Sequence, residues 1–167
     1  KRHDDETRGI FVDLLGLGKL QTEIESQLRS SELFKHLTRV YNADSLEIEF
    51  HVYSTRNCKR PRGWHLDGPT LKLFTYLTDV TEEDGPYAYQ IGSHRYYPES
   101  FKGASLKTLR SPGHKDQICK SYFRKQDTHI CLGNFGTSFI SDQSGIHRGL
   151  PQSEGRERHV LVAQFKA

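Results

Sequence analysis

The stretch GWHLDGPT, residues 63–70, sets a histidine two residues before an aspartate, between the chain's only tryptophan and a Gly-Pro turn. On an extended chain, residues two apart point to the same side, so the His65 imidazole and the Asp67 carboxylate could share one divalent metal. Spacing alone does not establish this. Nine histidines and ten aspartates in 167 residues give about half a His-x-Asp match by chance. The chain has three: His3/Asp5, His65/Asp67 and His114/Asp116. The first lies in a charged terminus with nothing to hold it. The third follows Ser-Pro-Gly in a lysine-rich stretch, where ordering two ligands would cost entropy at each binding event. His65/Asp67 alone falls between two predicted strands. A facial metal site of two histidines and one carboxylate leaves three coordination positions open for reactants. The second histidine must then come from a distant strand. His147, in SGIHRGLP, and His94, in GSHR, are the candidates.

The elements that must position these residues can be read from periodicity. Leu20, Ile24 and Leu28 recur every four residues. Leu33, Phe34, Leu37 and Val40 form a second apolar stripe, so residues 20–41 are predicted to be helical, with Ser30 or Ser31 capping the second helix. From Leu46 the period changes to two: Ile48, Phe50 and Val52 share one face, and Glu47, Glu49, His51 and Tyr53 the other. Strands are also predicted at 71–80, 86–91, 129–133, 137–141 and 159–165, separated by turn clusters such as TEEDGP and GNFG. Short helices followed by many short strands indicate a mainly β sandwich or jelly roll with flanking helices, in a single domain over 1–167: a helical part at 1–45 and a β core at 46–167. GLGKL (16–20) contains Gly-x-Gly, but no strand is predicted before it, so it reads as a turn rather than a phosphate loop.

Composition narrows the partners. A formal net charge of +3, with 27% charged residues, is mildly basic and well short of a nucleic-acid-coating surface. No apolar run approaches the roughly 18 residues of a membrane span. Cys58, Cys119 and Cys131 form no CxxC pair, and an odd count of scattered thiols fits a reduced, cytoplasmic setting. With no methionine at all, the chain is expected to be trimmed at its start. Residues 95–130 lack clear strands and carry eight Lys/Arg against Glu99, Asp116 and Asp127, as expected of a lid over the core. RNCKRPR (56–62) adds positive charge just before His65, and such a rim would steer an anionic substrate.

The run WHLDGPTLKLFTYLTDVTEEDGPYAYQIGSHR resembles the phytanoyl-CoA dioxygenase family of Fe(II)/2-oxoglutarate oxygenases. That family has His-x-Asp, a strand, an acidic turn ending in Gly, a second strand, then Gly-Thr/Ser-His. GTSFISDQSGIHRGLPQSEGRERHVLVAQF is similar to its second half, and the likeness covers roughly residues 46–165. Thr137 departs from it, standing where the family usually has Asp. The resemblance implies a double-stranded β-helix (a cupin-like jelly roll) with His65, Asp67 and His147 as iron ligands. Arg158, eleven residues after His147, would bind the far carboxylate of 2-oxoglutarate, with Arg156 as the competitor. Phe74 would lie beside the cosubstrate, and His94 would be structural. The implied cofactors are Fe(II), 2-oxoglutarate and O2. The implied reaction is hydroxylation of a small organic molecule with release of succinate and CO2, acting on neither nucleic acid nor membrane. Asp67 favours hydroxylation, because related halogenating oxygenases lack that carboxylate. The Arg-x-Asn-x-Thr-x-Arg signature of alkylated-base repair oxygenases is absent. A catalytically silent metal-binding jelly roll and a cosubstrate-independent cupin enzyme are the alternatives.

Overall fold

The computed structural model describes residues 10–13, 18–40, 46–68, 70–96 and 127–166. The His3/Asp5 and His114/Asp116 pairs lie outside these residues, as does most of the predicted lid at 95–130.

The chain is a two-sheet antiparallel jelly roll with two helices on one side. In sequence order it runs β1 (Ile10–Asp13), α1 (Lys19–Ser30), α2 (Glu32–Val40), β2 (Glu47–Arg56), β3 (Leu71–Tyr76), β4 (Tyr87–Gln90), β5 (Thr128–Cys131), β6 (Ser138–Asp142), β7 (His147–Gly149) and β8 (Glu157–Lys166). The larger sheet has the order β1-β2-β8-β3-β6, and the smaller β5-β4-β7. Two long strands, β2 and β8, pair over their full ten residues, from Glu47↔Lys166 to Arg56↔Glu157.

Alternation along these strands builds two separate cores. Phe50, Ala163 and Phe165 face outward and pack with Phe34 and Leu37 of α2, with Ile48, Val52, Leu71 and Leu73 around them. The opposite face turns inward. There Phe74, Tyr76, Val160 and Val162 meet Tyr87 of the smaller sheet and Val80. The larger sheet is therefore apolar on both faces where β3 and β8 form its middle, while β2 keeps the period-two alternation of its sequence.

The helical reading of 20–41 is resolved into two helices by Ser31. Its hydroxyl accepts from the backbone N–H of Phe34 at 3.2 Å, capping α2, and donates to the carbonyl of Leu28 at 2.5 Å, closing α1. The apolar stripes hold in their centres, whereas Leu20 and Val40, at the ends, are exposed. The segment before α1 requires a correction. Strand β1 pairs with β2 from Ile10↔Ser54 to Asp13↔His51, so a strand does precede the Gly-x-Gly run. Gly18 sits at the N-terminus of α1 with φ 49°, a left-handed conformation that glycine adopts without strain. The predicted strand 71–80 ends at Tyr76, and β7 is a three-residue strand that periodicity could not register. No helix among the described residues is long and apolar enough to cross a membrane.

Candidate metal centre and adjoining cavity

Two segments far apart in the sequence are joined at His65 and His147 by a reciprocal pair of backbone hydrogen bonds. The N–H of His65 donates to the carbonyl of His147 at 3.0 Å, and the N–H of His147 returns the bond to His65 at 2.8 Å. This antiparallel bridge sets the two imidazoles side by side, with ring centroids 4.4 Å apart. Trp64 and Arg148, one position out on each strand, reinforce it: the guanidinium lies over the indole, 5.8 Å from its centroid. Asp67 is fixed by its own N–H, which donates to Gln143 at 2.9 Å. His65, Asp67 and His147 then offer three ligand atoms all within 4.8 Å of one another.

Ring orientation is set by the chain itself. Nδ1–H of His65 donates to the carbonyl of Gly63 at 2.7 Å, and Nδ1–H of His147 to that of Gly145 at 2.8 Å. Each bond leaves Nε2 as the lone-pair nitrogen facing the centre, the tautomer a metal ligand needs. Tyr87 stacks on His147 with centroids 5.5 Å apart. Its hydroxyl is held by Ser141 at 2.7 Å and by Gln143 at 3.2 Å. Burial, followed by the neighbouring His147, pushes the His65 pKa down to about 3, so the imidazole is neutral and able to coordinate at ordinary pH. Burial acts to raise the Asp67 carboxyl. The neighbouring His147 outweighs it, with help from His65 and Lys72, and the group is held below the usual carboxylate range.

The His65 shift has a consequence for the metal-free protein. The unfolded chain takes up a proton near pH 6.5 that folded His65 refuses until about pH 3. A lowered histidine pKa means that the unfolded state binds more protons, so stability falls as pH drops through that window. In melts of metal-free protein, His65→Gln should lose less Tm than wild type between about pH 7 and pH 5. Equal losses in the two proteins would contradict the assignment.

Gly145, two residues before His147, is a tight spot. A Cβ there would collide with the Tyr89 ring and its hydroxyl and would crowd Ser93 Oγ, while the Gly145 carbonyl holds the His147 ring. Gly145→Ala should therefore destabilise by about 1–3 kcal/mol, measured by chemical denaturation.

Behind the three candidate ligands a cavity of about 250 Å³ runs between the sheets, lined by Phe74, Lys72, Tyr87, Gln152 and Arg158 among others. Arg158 lies at its inner end. One guanidinium nitrogen, Nη1, donates to the carbonyl of Gly85, while Nε is buried with no partner, the one such side-chain donor among the described residues. Burial lowers the Arg158 pKa, opposed by Tyr76, Cys58 and Asp84. Arg156 lies elsewhere. It precedes β8, is exposed, and pairs with Glu83 and, at 3.8 Å, with Asp84. Phe74 is buried between Phe139 and Tyr87, at centroid distances of 5.2 and 5.0 Å, and also lines the cavity. His94 is exposed in a 3-10 turn at Ser93–Tyr96 and lines a different pocket, apart from the cluster.

Two features escaped the sequence reading. Gln152 is buried and ties the inner end together. Its side chain accepts from the N–H of Cys58 at 2.8 Å and donates to Thr55 Oγ1 and the carbonyl of Asp84, each at 3.1 Å. A polar residue in the turn LPQSEG carries no signal of burial. Lys72 also lines the cavity. Its signal was present, since it alternates with Leu71 and Leu73 and shares its face with Phe74.

No protein-family model matches the sequence, and no curated protein sequence matches it. Solved structures do. SnoK, a non-heme alpha ketoglutarate dependent carbocyclase from nogalamycin biosynthesis, superposes with a TM-score of 0.69 at 16% identity, over 99% of this chain and 66% of that one. SnoN, the corresponding epimerase from nogalamycin biosynthesis, gives 0.61 at 16% identity, over 99% and 65%. HygX from Streptomyces hygroscopicus, solved with nickel, 2-oxoglutarate and hygromycin B bound, gives 0.59 at 16% identity, over 99% and 72%. The chain thus spans about two thirds of the length of SnoK and SnoN. At these identities the likeness establishes the shared jelly-roll fold.

Proposed function

We propose that the chain is a non-haem Fe(II)- and 2-oxoglutarate-dependent oxygenase domain acting on a small organic substrate. One observation carries the reading: two imidazoles and a carboxylate converge at one side of a cavity whose inner end holds a half-buried arginine with a buried, unsatisfied Nε. The donor set fits. Two neutral imidazoles and one carboxylate suit ferrous iron and leave open positions for reactants. The orphaned guanidinium donor fits the second carboxylate of a dicarboxylic oxo acid. When bound, iron and 2-oxoglutarate would supply the oxidising chemistry, in which O2 is consumed and succinate and CO2 are released.

The protein's own residues do the positioning. His65, Asp67 and His147 would hold the metal, with ring orientation fixed by the Gly63 and Gly145 carbonyls. Arg158 would bind the far carboxylate, and Phe74 would wall the cosubstrate and exclude water. SnoK, SnoN and HygX, similar in fold, are described as using or holding the same oxo acid, and HygX also holds a small-molecule ligand. Because SnoK and SnoN are described as carbocyclase and epimerase, the fold accommodates several outcomes. Hydroxylation is our reading for this chain because Asp67 supplies the third ligand. An anionic substrate is favoured by Arg62 at the cavity rim, 3.4 Å from Asp67.

The test is turnover without added substrate. Purified protein with Fe(II), 2-oxoglutarate and O2 should release succinate slowly, and release it faster with a suitable small molecule. No succinate under any condition, with metal bound, would favour a silent metal-binding jelly roll.

A further inference from the structure

Lys72 is a charged cavity-lining residue to which the proposed machinery gives no role. It lies on β3 on the same face as Phe74 and Tyr76, pointing inward, and its side chain is only 13% exposed. Burying an ammonium is costly unless an anion receives it. Among the described residues its one ion pair is with Asp67 Oδ2 at 3.9 Å, beyond hydrogen-bond distance. That same oxygen lies 3.7 Å from His147 Nε2. The other carboxylate in this part of the sheet is taken: Glu49, in register with Gln164 and so with Lys72, pairs with Lys166. Among the described residues Asp67 is the only acid lining the cavity, against Arg62, Lys72 and Arg158.

Lys72 and Arg158 stand at opposite ends of one inward-facing row. Lys72 is in register with Gln164 and Tyr76 with Val160, and Arg158 lies two residues before Val160 on β8. Phe74 and Val162, then Tyr76 and Val160, fill the apolar middle. A cation at each end of a row with an apolar middle matches an acid with a carboxylate at each end. If Asp67 is a metal ligand its charge is shared with the metal, and Lys72 is left facing a dication without an anion of its own.

On the oxygenase reading above, we propose that Lys72 binds the metal-side carboxylate of the 2-oxo acid, as Arg158 binds the far one. Lys72 would then be a cosubstrate-binding residue that favours acids with a carboxylate beside the oxo group, while the choice of a dicarboxylic acid rests with Arg158.

The experiment is calorimetric titration of 2-oxoglutarate into Ni(II)-loaded wild type, Lys72→Met and Lys72→Gln, with Ni(II) affinity measured for each. Folding is checked by melting, and two replacements guard against one that fails to fold. The expected result is at least a tenfold loss of 2-oxoglutarate affinity in both variants, with Ni(II) affinity within threefold of wild type. A smaller loss overturns the proposal and leaves Lys72 to an anionic group of the substrate. A parallel loss of Ni(II) affinity also overturns it, because Lys72 would then act through Asp67. If Ni(II)-loaded wild type itself fails to bind 2-oxoglutarate, the oxygenase reading fails, and the proposal with it.

Discussion

Arg158→Ala is expected to weaken 2-oxoglutarate binding by about 2–5 kcal/mol while leaving metal binding intact. The magnitude follows from burial: the carboxylate would be left desolvated with its charged partner removed, and such truncations cost more than the net worth of the pair. Arg156→Ala should change affinity by less than about 0.5 kcal/mol. Two residues apart, the pair cannot be separated by strand parity, but position separates them. Arg158 lies within β8 in the cavity wall, and Arg156 lies outside it, engaged by Glu83. The same variant should behave differently without ligand. The free protein carries a guanidinium whose buried Nε has no partner, so its removal relieves a desolvation cost. The ligand-free variant should therefore melt no lower than wild type. Anaerobic titration of 2-oxoglutarate and a thermal melt check the two halves. If Arg156→Ala loses affinity and Arg158→Ala does not, the anchor is misassigned.

The second large effect concerns the metal. His147→Asn and Asp67→Asn should each lower divalent-metal affinity by more than about a hundredfold, since loss of an outer-shell partner alone costs 10–100-fold. His94→Ala, exposed and away from the cluster, should leave it unchanged. Titration with Mn(II) or Ni(II) followed by calorimetry measures this. Undiminished affinity in Asp67→Asn, or a loss in His94→Ala, would break the three-residue assignment.

How far the sequence could reach is clearest at His147. Periodicity marks β2 and β8 because each is ten residues long. It is silent on β7, three residues with glycine at the end, so residue types alone left His147 and His94 open. The structure places His147 with His65 through reciprocal backbone bonds, a long-range pairing that no local pattern encodes. The ring-orienting carbonyls of Gly63 and Gly145 were equally invisible, although both lie two residues before their histidine. β1 was missed because its four residues are too few to show a period and it exists as a strand by pairing with β2. Lys72 was legible as an inward position. Its meaning was not, because a lysine in a strand ordinarily reads as a solvated face.

The central claim is that His65, Asp67 and His147 hold one ferrous ion to which 2-oxoglutarate binds directly. The measurement that tests it most directly is visible absorption on anaerobic mixing of the protein with Fe(II) and 2-oxoglutarate. A metal-to-ligand charge-transfer band should appear when both are present, be absent with either alone, and be lost in His147→Asn. Fe(II) binding without such a band at saturating 2-oxoglutarate, or a band that survives in His147→Asn, would contradict the account.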